Sequence, residues 1–164
     1  GNGHKKIVKL LISNNADIKI LPEDKRSLIT MAVITHNSGM LKYLLSLPNI
    51  DVFYPDVNKW LPTHYAAQLG EEGMMQDFFK IDPSSLSALD YKLRTPLHLA
   101  SIWNQYKIIE FYKESNDTLF NEKDSDGNTP LHLAVKRGNV QIARFLVSST
   151  NSDLNMQNND GVFF

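Results

Sequence analysis

Apolar residues in this chain recur at helical spacing in pairs of short segments. In the clearest pair, residues 131–134 form a short apolar segment and residues 140–147 carry a broad apolar stripe. Gly138 lies between the two segments and is suited to end the first helix. Thr129 is placed to cap that helix with its hydroxyl, and Pro130 fits the first helical position. The pattern predicts a helix, a tight turn and a second helix.

This arrangement returns along the chain. The string Thr95-Pro96-Leu97-His98-Leu99-Ala100 recurs, at a shift of 34, as Thr129-Pro130-Leu131-His132-Leu133-Ala134. The alanines of successive copies keep the same shift, at Ala32, Ala66, Ala100 and Ala134. The second helices carry apolar pairs at nearly the same period, namely Leu10-Leu11, Leu44-Leu45, Phe78-Phe79, Phe111-Tyr112 and Phe145-Leu146. Two independent markers with one period predict a repeat protein.

The T-P-L-H-x-A string, the turn before it and the two helices after it resemble the ankyrin repeat family. The resemblance implies an all-α solenoid of stacked helix-turn-helix units, with β-turn or loop fingers between them. It covers the chain as a single domain, residues 1–164. We divide that domain into a partial repeat 1–21, whole repeats 22–55, 56–89, 90–123 and 124–157, and the start of a further repeat at 158–164. Because both ends fall inside a repeat, we interpret the chain as a fragment of a larger ankyrin repeat protein.

The turns depart from the family pattern. The turn glycine is present at Gly127 and Gly161, but Lys25, Lys59 and Leu93 replace it in the other copies. Glycine is favoured where a turn requires positive φ. We therefore expect these three turns to be less sharply held, or to be built differently.

Two further departures concern the helices. Leu61 stands where a capping hydroxyl belongs, which costs about 1 kcal/mol unless another group substitutes, whereas Ser27 retains a hydroxyl. The count from the repeat alanine to the second residue of the apolar pair is 13 positions in the first two whole repeats and 12 in the next two. We therefore expect one extra residue between the helices, within 36–39 and 70–73, and a more irregular N-terminal half.

The composition excludes several function classes. The chain is 42% hydrophobic and 21% charged, with a net charge of −1, so no global field attracts it to nucleic acid or to an anionic membrane. It has no cysteine, which excludes disulfides, thiolate metal sites and a cysteine nucleophile and suits a reducing compartment. No apolar run reaches the roughly 18–20 residues of a membrane span, and no signal peptide is visible. We expect a cytoplasmic location, or the host cytoplasm if the protein is a secreted effector. The use of Asn, Lys, Ile and Ser, with degenerate repeats, resembles repeat proteins encoded by AT-rich genomes, such as those of some protists and of intracellular bacteria that inject such proteins into host cells.

No motif predicts catalysis, and we expect no catalytic, cofactor-binding or metal-binding residue. His64, His98 and His132 keep the repeat spacing, so each occupies the same place in its repeat. The resemblance implies that these imidazoles bond to backbone groups of the turns and hold neighbouring repeats together. The acidic turn at 124–128 does not fit a calcium loop, because an EF-hand needs Gly at its sixth position and Glu at its twelfth, where Val135 stands.

Two positions resemble modification sites. Asn116 begins a formal glycosylation sequon, which has meaning only in a secreted protein. Asn155 resembles the asparagine before the turn that asparaginyl hydroxylases modify in ankyrin domains.

The resemblance implies that partners bind to the turn tips and to the exposed face of the first helices, on the concave side. We therefore predict a protein-protein interaction module. Trp60, Tyr91 and Trp103 are large aromatic residues at positions where repeat packing does not require them, and basic residues accompany them. The predicted partner-binding residues are Arg26, Trp60, Tyr91, Lys92, Arg94, Ile102, Trp103, Asn128, Lys136 and Arg137. The set suits an apolar peptide or loop that carries acidic residues; for Trp60, filling the space beside Leu61 is an equal alternative.

Two other hypotheses concern the larger protein. The repeats are the substrate-recognition arm of a multidomain enzyme or a secreted bacterial effector whose catalytic domain lies outside this chain, or they are the intracellular repeat array of a membrane protein such as a channel. Both assign the same binding role to this segment.

Overall fold

The computed structural model describes Leu10 and residues 24–48, 50–115 and 117–164. The predicted partial repeat 1–21 lies outside the described residues apart from Leu10, and so does Asn116 of the sequon. Eight α-helices lie within the described part of the chain. They are α1 (Leu28–Ile34), α2 (Ser38–Leu45), α3 (Pro62–Leu69), α4 (Glu72–Ile81), α5 (Pro96–Ile102), α6 (Tyr106–Ser115), α7 (Pro130–Lys136) and α8 (Val140–Ser149). Two 3₁₀-helices, Pro83–Ser87 and Asp117–Asn121, follow α4 and α6.

The helices stack in two rows. The first helices of the repeats, α1, α3, α5 and α7, pack side by side, and the second helices form the other row. Small buried residues such as Ala66, Ala67 and Ala100 let the first helices approach one another closely. Neighbouring first helices accordingly make closer contact than neighbouring second helices do. This closer packing curves the stack toward the row of first helices. The all-α repeat fold predicted from the sequence is confirmed.

The core consists of one continuous layer between the two rows of helices. Leu44, Phe78, Tyr112 and Leu146 are fully buried and follow one another at the repeat spacing. They are therefore equivalent positions in the four second helices. Each of these side chains packs against the neighbouring repeats, which is how a solenoid buries apolar area without a central core.

The expectation of an extra residue between the helices of the first two whole repeats is wrong. The backbone N–H of Asn37, Glu71, Gln105 and Asn139 donates to the carbonyl five residues earlier, at Ala32, Ala66, Ala100 and Ala134. The residue before each donor has positive φ, at His36, Gly70, Asn104 and Gly138. All four connections thus have the same length. The error arose because Leu44 and Phe78 are the first residues of their apolar pairs, whereas Tyr112 and Leu146 are the second.

The turns between repeats form fingers with one common geometry. In the finger 90–94, the Asp90 N–H donates to the Arg94 carbonyl (3.0 Å) and the Leu93 N–H donates to the Asp90 carbonyl (3.0 Å). The Asp90 carboxylate accepts from the backbone N–H of Lys92 (2.8 Å) and of Arg94 (2.9 Å). The fingers that begin at Asp56, Asp124 and Asn158 repeat all four bonds.

Replacing the turn glycine with Lys59 or Leu93 does not change this geometry. Lys25, Lys59 and Leu93 have φ of 56°, 59° and 57°, in the same left-handed region as Gly127 and Gly161. The expectation that the turns at Lys59 and Leu93 are built differently is therefore wrong, whereas the turn at Lys25 begins at Pro22, outside the described residues. A residue with a side chain is destabilised by roughly 1–2 kcal/mol in this region of φ. The fingers of Lys59 and Leu93 keep their hydrogen bonds in spite of this strain.

The fingers are linked along the stack. The N–H of Tyr91 donates to the Asn58 carbonyl (3.2 Å), and the N–H of Ser125 donates to the Lys92 carbonyl (2.8 Å). The same bond joins Val57 to Asp24, and Asn159 to Asp126. Adjacent fingers are consequently held in contact, and their tips form one continuous edge.

Two of the first helices have the hydroxyl caps that the sequence predicts, and α3 does not have one. Ser27 accepts from the Thr30 N–H (3.1 Å) and Thr129 accepts from the His132 N–H (3.5 Å). Leu61 has no capping oxygen, but its own N–H donates to Nδ1 of His64 (3.1 Å). This bond satisfies the N–H of Leu61, which precedes the helix. The free N–H groups of the first helical turn still lack a side-chain acceptor.

Restoring the hydroxyl at position 61 should therefore stabilise the chain. We expect Leu61→Thr to raise the free energy of unfolding by about 1 kcal/mol relative to Leu61→Val, because the two side chains have the same shape and only threonine can cap. Urea unfolding followed by circular dichroism measures the difference. Equal stability of the two variants would contradict a missing cap at α3.

Candidate partner-binding surface

Buried histidines hold the inner side of the stack together. Nδ1 of His64 accepts the Leu61 N–H (3.1 Å), so the proton lies on Nε2, which donates to the Arg94 carbonyl in the next finger (3.2 Å). His98 joins Thr95 to Asn128 in the same way, and His132 joins Thr129 to Val162. Their predicted structural role is thus seen directly. Among the described residues, no group of three or more His, Cys, Asp or Glu side chains could hold a metal ion.

Burial keeps two of these histidines neutral. It lowers the pKa of His64 to about 4 and that of His98 to about 4, because the charged imidazolium would lose its water. Hydrogen bonds to backbone carbonyls and nearby aspartates oppose this shift only in part. The bridge between repeats therefore consists of neutral imidazole at physiological pH.

A network of aromatic and charged side chains spans the fingers 56–60 and 90–94. Nε1 of Trp60 donates to the Asp90 carboxylate (3.0 Å), which also accepts from Nε (2.8 Å) and a terminal nitrogen (2.6 Å) of Arg94. The Arg94 guanidinium lies over the Trp60 ring, 5.8 Å from its centroid. The Trp60 ring also contacts the edge of Tyr65, with centroids 4.9 Å apart.

Tyr65 extends this network to the first described finger. Its hydroxyl donates to the Asp56 carboxylate (2.7 Å) and accepts from Nε of Arg26 (3.2 Å). Burial and the bond to Asp56 raise the pKa of Tyr65 to about 12, so the phenol stays protonated. Burial alone would raise the pKa of Asp90, but the hydrogen bonds from Arg94 hold it below its usual value.

Four of the ten predicted partner-binding residues are therefore held within the framework. Trp60 is partly buried and bonded to Asp90, which favours the packing role considered for it. Arg94 and Arg26 bond to neighbouring side chains. Asn128 is only 3% exposed, and its amide bonds to Asp124 and Asn158. Asn128 cannot present its side chain to a partner without breaking these bonds, so we do not retain it.

The other six predicted residues are more exposed to solvent. Four lie at the ends of two first helices, and two lie at the tip of a finger. Trp103 ends α5 and is 54% exposed, with Ile102 partly buried beside it. Lys136 and Arg137 are exposed at the end of α7, the next first helix in the row. Tyr91 and Lys92 are exposed at the tip of the finger 90–94.

Trp103 has equivalents in the other repeats. The repeat spacing places Leu69, Trp103 and Arg137 at the same position in three successive repeats. Leu69 is partly buried, whereas Trp103 and Arg137 are exposed. Since first helices pack about 8–10 Å apart, this row presents an apolar residue, an indole and a guanidinium in order along the inner side.

Sequence reasoning missed the finger aspartates. The side chains of Asp56, Asp90 and Asp124 are buried and accept hydrogen bonds from the backbone of their own fingers. The Asp90 carboxylate also accepts hydrogen bonds from the side chains of Trp60 and Arg94. Their recurrence at the repeat spacing was a usable signal. It identifies them as parts of the repeat rather than as surface charges.

The geometry agrees with comparisons to known proteins. A family model described as ankyrin repeats (3 copies) matches residues 1–84 and 81–158. The chain is also similar to alpha-latrotoxin-Lg1a of Latrodectus geometricus, with 31% identity over 120 residues. That match covers 73% of this chain, which spans 9% of the length of that toxin. In the described part of the chain, we find no helix with the length and apolar character needed to cross a membrane.

The neutral histidines predict that stability falls with acidity. In the unfolded chain the pKa of histidine is about 6.5, above the values of about 4 in the folded chain. Between these values the unfolded state binds more protons, so lowering the pH favours unfolding. We expect His64 and His98 each to remove roughly 2 kcal/mol from the free energy of unfolding between pH 7 and pH 5.

Urea titrations at several pH values test this dependence, with His98→Gln as the variant. The glutamine amide can still donate to the Asn128 carbonyl but does not titrate. We expect this variant to be less stable than the original chain at pH 7. Between pH 7 and pH 5, its free energy of unfolding should fall by only about half of the amount attributed to the two histidines. A decline as steep as that of the original chain would show that His98 is not its source.

Proposed function

Because the chain belongs to the ankyrin repeat family, we propose that it binds a partner protein on the inner side of the stack, through the ends of the first helices. Ankyrin repeats generally mediate protein-protein interaction, and the shape of the stack supports this role. The first helices and the fingers line one concave side, where a polypeptide segment can contact several repeats at once. We place this interaction in the cytoplasm, where ankyrin repeat proteins commonly act.

The exposure of Trp103 is the observation that carries the proposal. Its indole ends a helix in which Leu97 and Leu99 are fully buried and Ile102 is partly buried. Equivalent positions in the stack hold Leu69 and Arg137, so the fold does not require an aromatic ring there. Exposed tryptophan is costly in water and is enriched at binding hot spots. It is therefore the best candidate for the centre of an interface.

The charges around Trp103 indicate the chemistry of the partner. Lys136 and Arg137 are exposed on the adjacent first helix, and neither forms an ion pair with a described residue. Ile102 adds apolar surface beside the indole. An apolar side chain of the partner would pack on Trp103 while its carboxylates approach the two cations, which also speeds association.

A substrate-recognition arm of an enzyme or of a secreted effector would use the same surface. In that case the bound protein is a substrate and the reacting groups lie on another domain. The contact with Trp103 is the same in both readings, so one binding experiment tests it for either.

We expect Trp103→Ala to weaken binding of the partner about tenfold or more, because truncating a hot-spot tryptophan removes over 1 kcal/mol. The chain serves as bait in affinity capture, and the dissociation constant of a captured protein, produced in pure form, is then measured for each variant. Circular dichroism checks that the helices are retained.

Val147→Ala is the matched control, because it truncates an exposed apolar side chain on α8 in the row of second helices. It should leave the dissociation constant unchanged. Equal affinity of the Trp103→Ala variant and the original chain for every purified partner would place the interface elsewhere.

A further inference from the structure

The connections between the two helices of a repeat carry a side-chain bond that recurs. Nε2 of Gln105 donates to the Gln68 carbonyl (2.8 Å). Nδ2 of Asn139 donates to the carbonyls of Ile102 (3.2 Å) and Ser101 (2.7 Å). Gln105 and Asn139 are one repeat apart, as are Gln68 and Ile102. The same bond therefore ties each of two connections to the end of the first helix before it, and we call these two bonds the amide clasps.

The amide clasps hold the backbone on both sides of Trp103. The clasp of Asn139 holds the carbonyls of the two residues before Trp103, and the clasp of Gln105 begins two residues after it. Within the connection, the N–H of Trp103 donates to the Leu99 carbonyl (2.9 Å) and the N–H of Gln105 donates to the Ala100 carbonyl (2.9 Å). The backbone that carries the exposed indole is thus fixed to the repeats on either side.

The length of each clasp side chain is matched to the connection before it. A Cβ on Gly70 would lie 2.3 Å from Oε1 of Gln105, so glycine at this position leaves the space that the glutamine occupies. One repeat later, Asn104 stands at the position of Gly70, and the clasp residue that follows is the shorter Asn139. A long amide after glycine and a short amide after asparagine both keep the bond to the helix end.

The earlier connections have no amide clasp. Glu71 stands at the equivalent position, and a carboxylate cannot donate to the carbonyl of Ile34 in the helix before it. It accepts instead from Nδ1 of His36. The side chain of Asn37 accepts from an N–H of its own helix. Among the connections that the structure describes, the amide clasps are therefore confined to the two that flank Trp103.

We propose that Gln105 and Asn139 are positioning residues for Trp103, because their amide clasps hold its indole in place for an apolar side chain of the partner. Neither residue has to touch the partner itself. The proposal rests on the proposed function and adds to it the residues that prepare its central contact. A group that is fixed before binding loses less conformational entropy when the partner binds, so the clasps should raise the affinity through Trp103.

Fluorine nuclear magnetic resonance follows the indole without a partner. The chain labelled with 5-fluorotryptophan gives signals for Trp60 and Trp103, which Trp103→Phe assigns. In Gln105→Ala and Asn139→Ala, the Trp103 signal should split or change its relaxation rate, because the ring then samples several orientations. The Trp60 signal should stay as in the original chain. An unchanged Trp103 signal in both variants would overturn the proposal.

Asn37→Ala is the matched control, because Asn37 is the equivalent residue of an earlier connection and bonds only within its own repeat. Its loss should lower the midpoint of thermal unfolding by roughly 2–4 °C, as the loss of a clasp should. It should leave the Trp103 signal unchanged. An equal change of that signal in Asn37→Ala would assign the effect to general loosening of the stack and refute the positioning role.

A selected peptide serves as the binding probe. It is about 12 residues long, enough to cross three first helices, and is taken from a random library selected on the purified chain. Only a peptide whose binding Trp103→Ala weakens is used. We expect Gln105→Ala and Asn139→Ala each to weaken its binding about three- to tenfold, measured by fluorescence anisotropy of the labelled peptide.

A double-mutant cycle separates positioning from direct contact. In a chain that already carries Trp103→Ala, Gln105→Ala and Asn139→Ala should weaken peptide binding no further, since they act through the indole. A further loss of affinity in that background would show that Gln105 or Asn139 touches the peptide, which contradicts the proposal.

Exchanging the side-chain lengths provides a rescue. Asn139→Gln alone should weaken peptide binding, because the residue before the longer amide is then Asn104 and not glycine. Asn104→Gly combined with Asn139→Gln reproduces the pair formed by Gly70 and Gln105. This double variant should recover both the affinity and the Trp103 signal. Recovery of neither would show that the amide clasp is not what holds the indole.

The positioning role and the proposed function can fail separately. If no selected peptide depends on Trp103, the proposed function fails, and the fluorine signal still decides whether the clasps hold the indole. If peptide binding depends on Trp103 but is unchanged in Gln105→Ala and Asn139→Ala, the positioning role fails and the proposed function stands.

Discussion

The stack depends on the imidazoles that join three of the first helices, α3, α5 and α7, to the finger of the next repeat. A solenoid has no central core, so its stability lies in the contacts between neighbours. An imidazole with its proton on Nε2 can accept a backbone N–H on one side and donate to a backbone carbonyl on the other, as His64 does with Leu61 and Arg94. Few side chains can satisfy two buried backbone groups at once in this way. The bridge therefore fixes how the three fingers after α3, α5 and α7 lie against the helix before them.

The finger aspartates hold the internal shape of the fingers that the histidines position. Asp90 bonds to the backbone on both sides of Leu93, so the finger keeps its shape whichever residue stands at the position with positive φ. Glycine is preferred there but is not required, because the hydrogen bonds of the finger stabilise it by more than the positive φ of another residue destabilises it. The histidine fixes the place of the finger and the aspartate fixes its form.

The sequence predicted the features that recur with the period. The all-α repeat fold, the structural histidines and the hydroxyl caps at Ser27 and Thr129 all follow from residues that keep the repeat spacing. The inter-helix connections were misjudged because an apolar pair does not reveal which member faces the core. The finger geometry at Lys59 and Leu93 was misjudged because backbone preference was considered without the side-chain bonds that oppose it.

The candidate site could be predicted only in part for a related reason. The predicted aromatic and basic residues lie on fingers and at helix ends, and their role in binding stays a prediction. Sequence could not tell which of them are bound to the framework, because the partner of Trp60 is Asp90, which lies in another repeat. Leu61 beside Trp60 made a packing role an equal alternative for that residue, and only the structure separates a bonded indole at Trp60 from an exposed one at Trp103.

That separation gives the inner side two kinds of residue with different roles. Trp60, Tyr65, Asp90 and Arg94 bond to one another and hold the middle fingers in a single arrangement. Leu93 projects from that arrangement with its backbone fixed between two bonds to Asp90. The network therefore makes an unfavourable backbone conformation persist at an exposed leucine, because the bonds to Asp90 hold the finger on both sides of it.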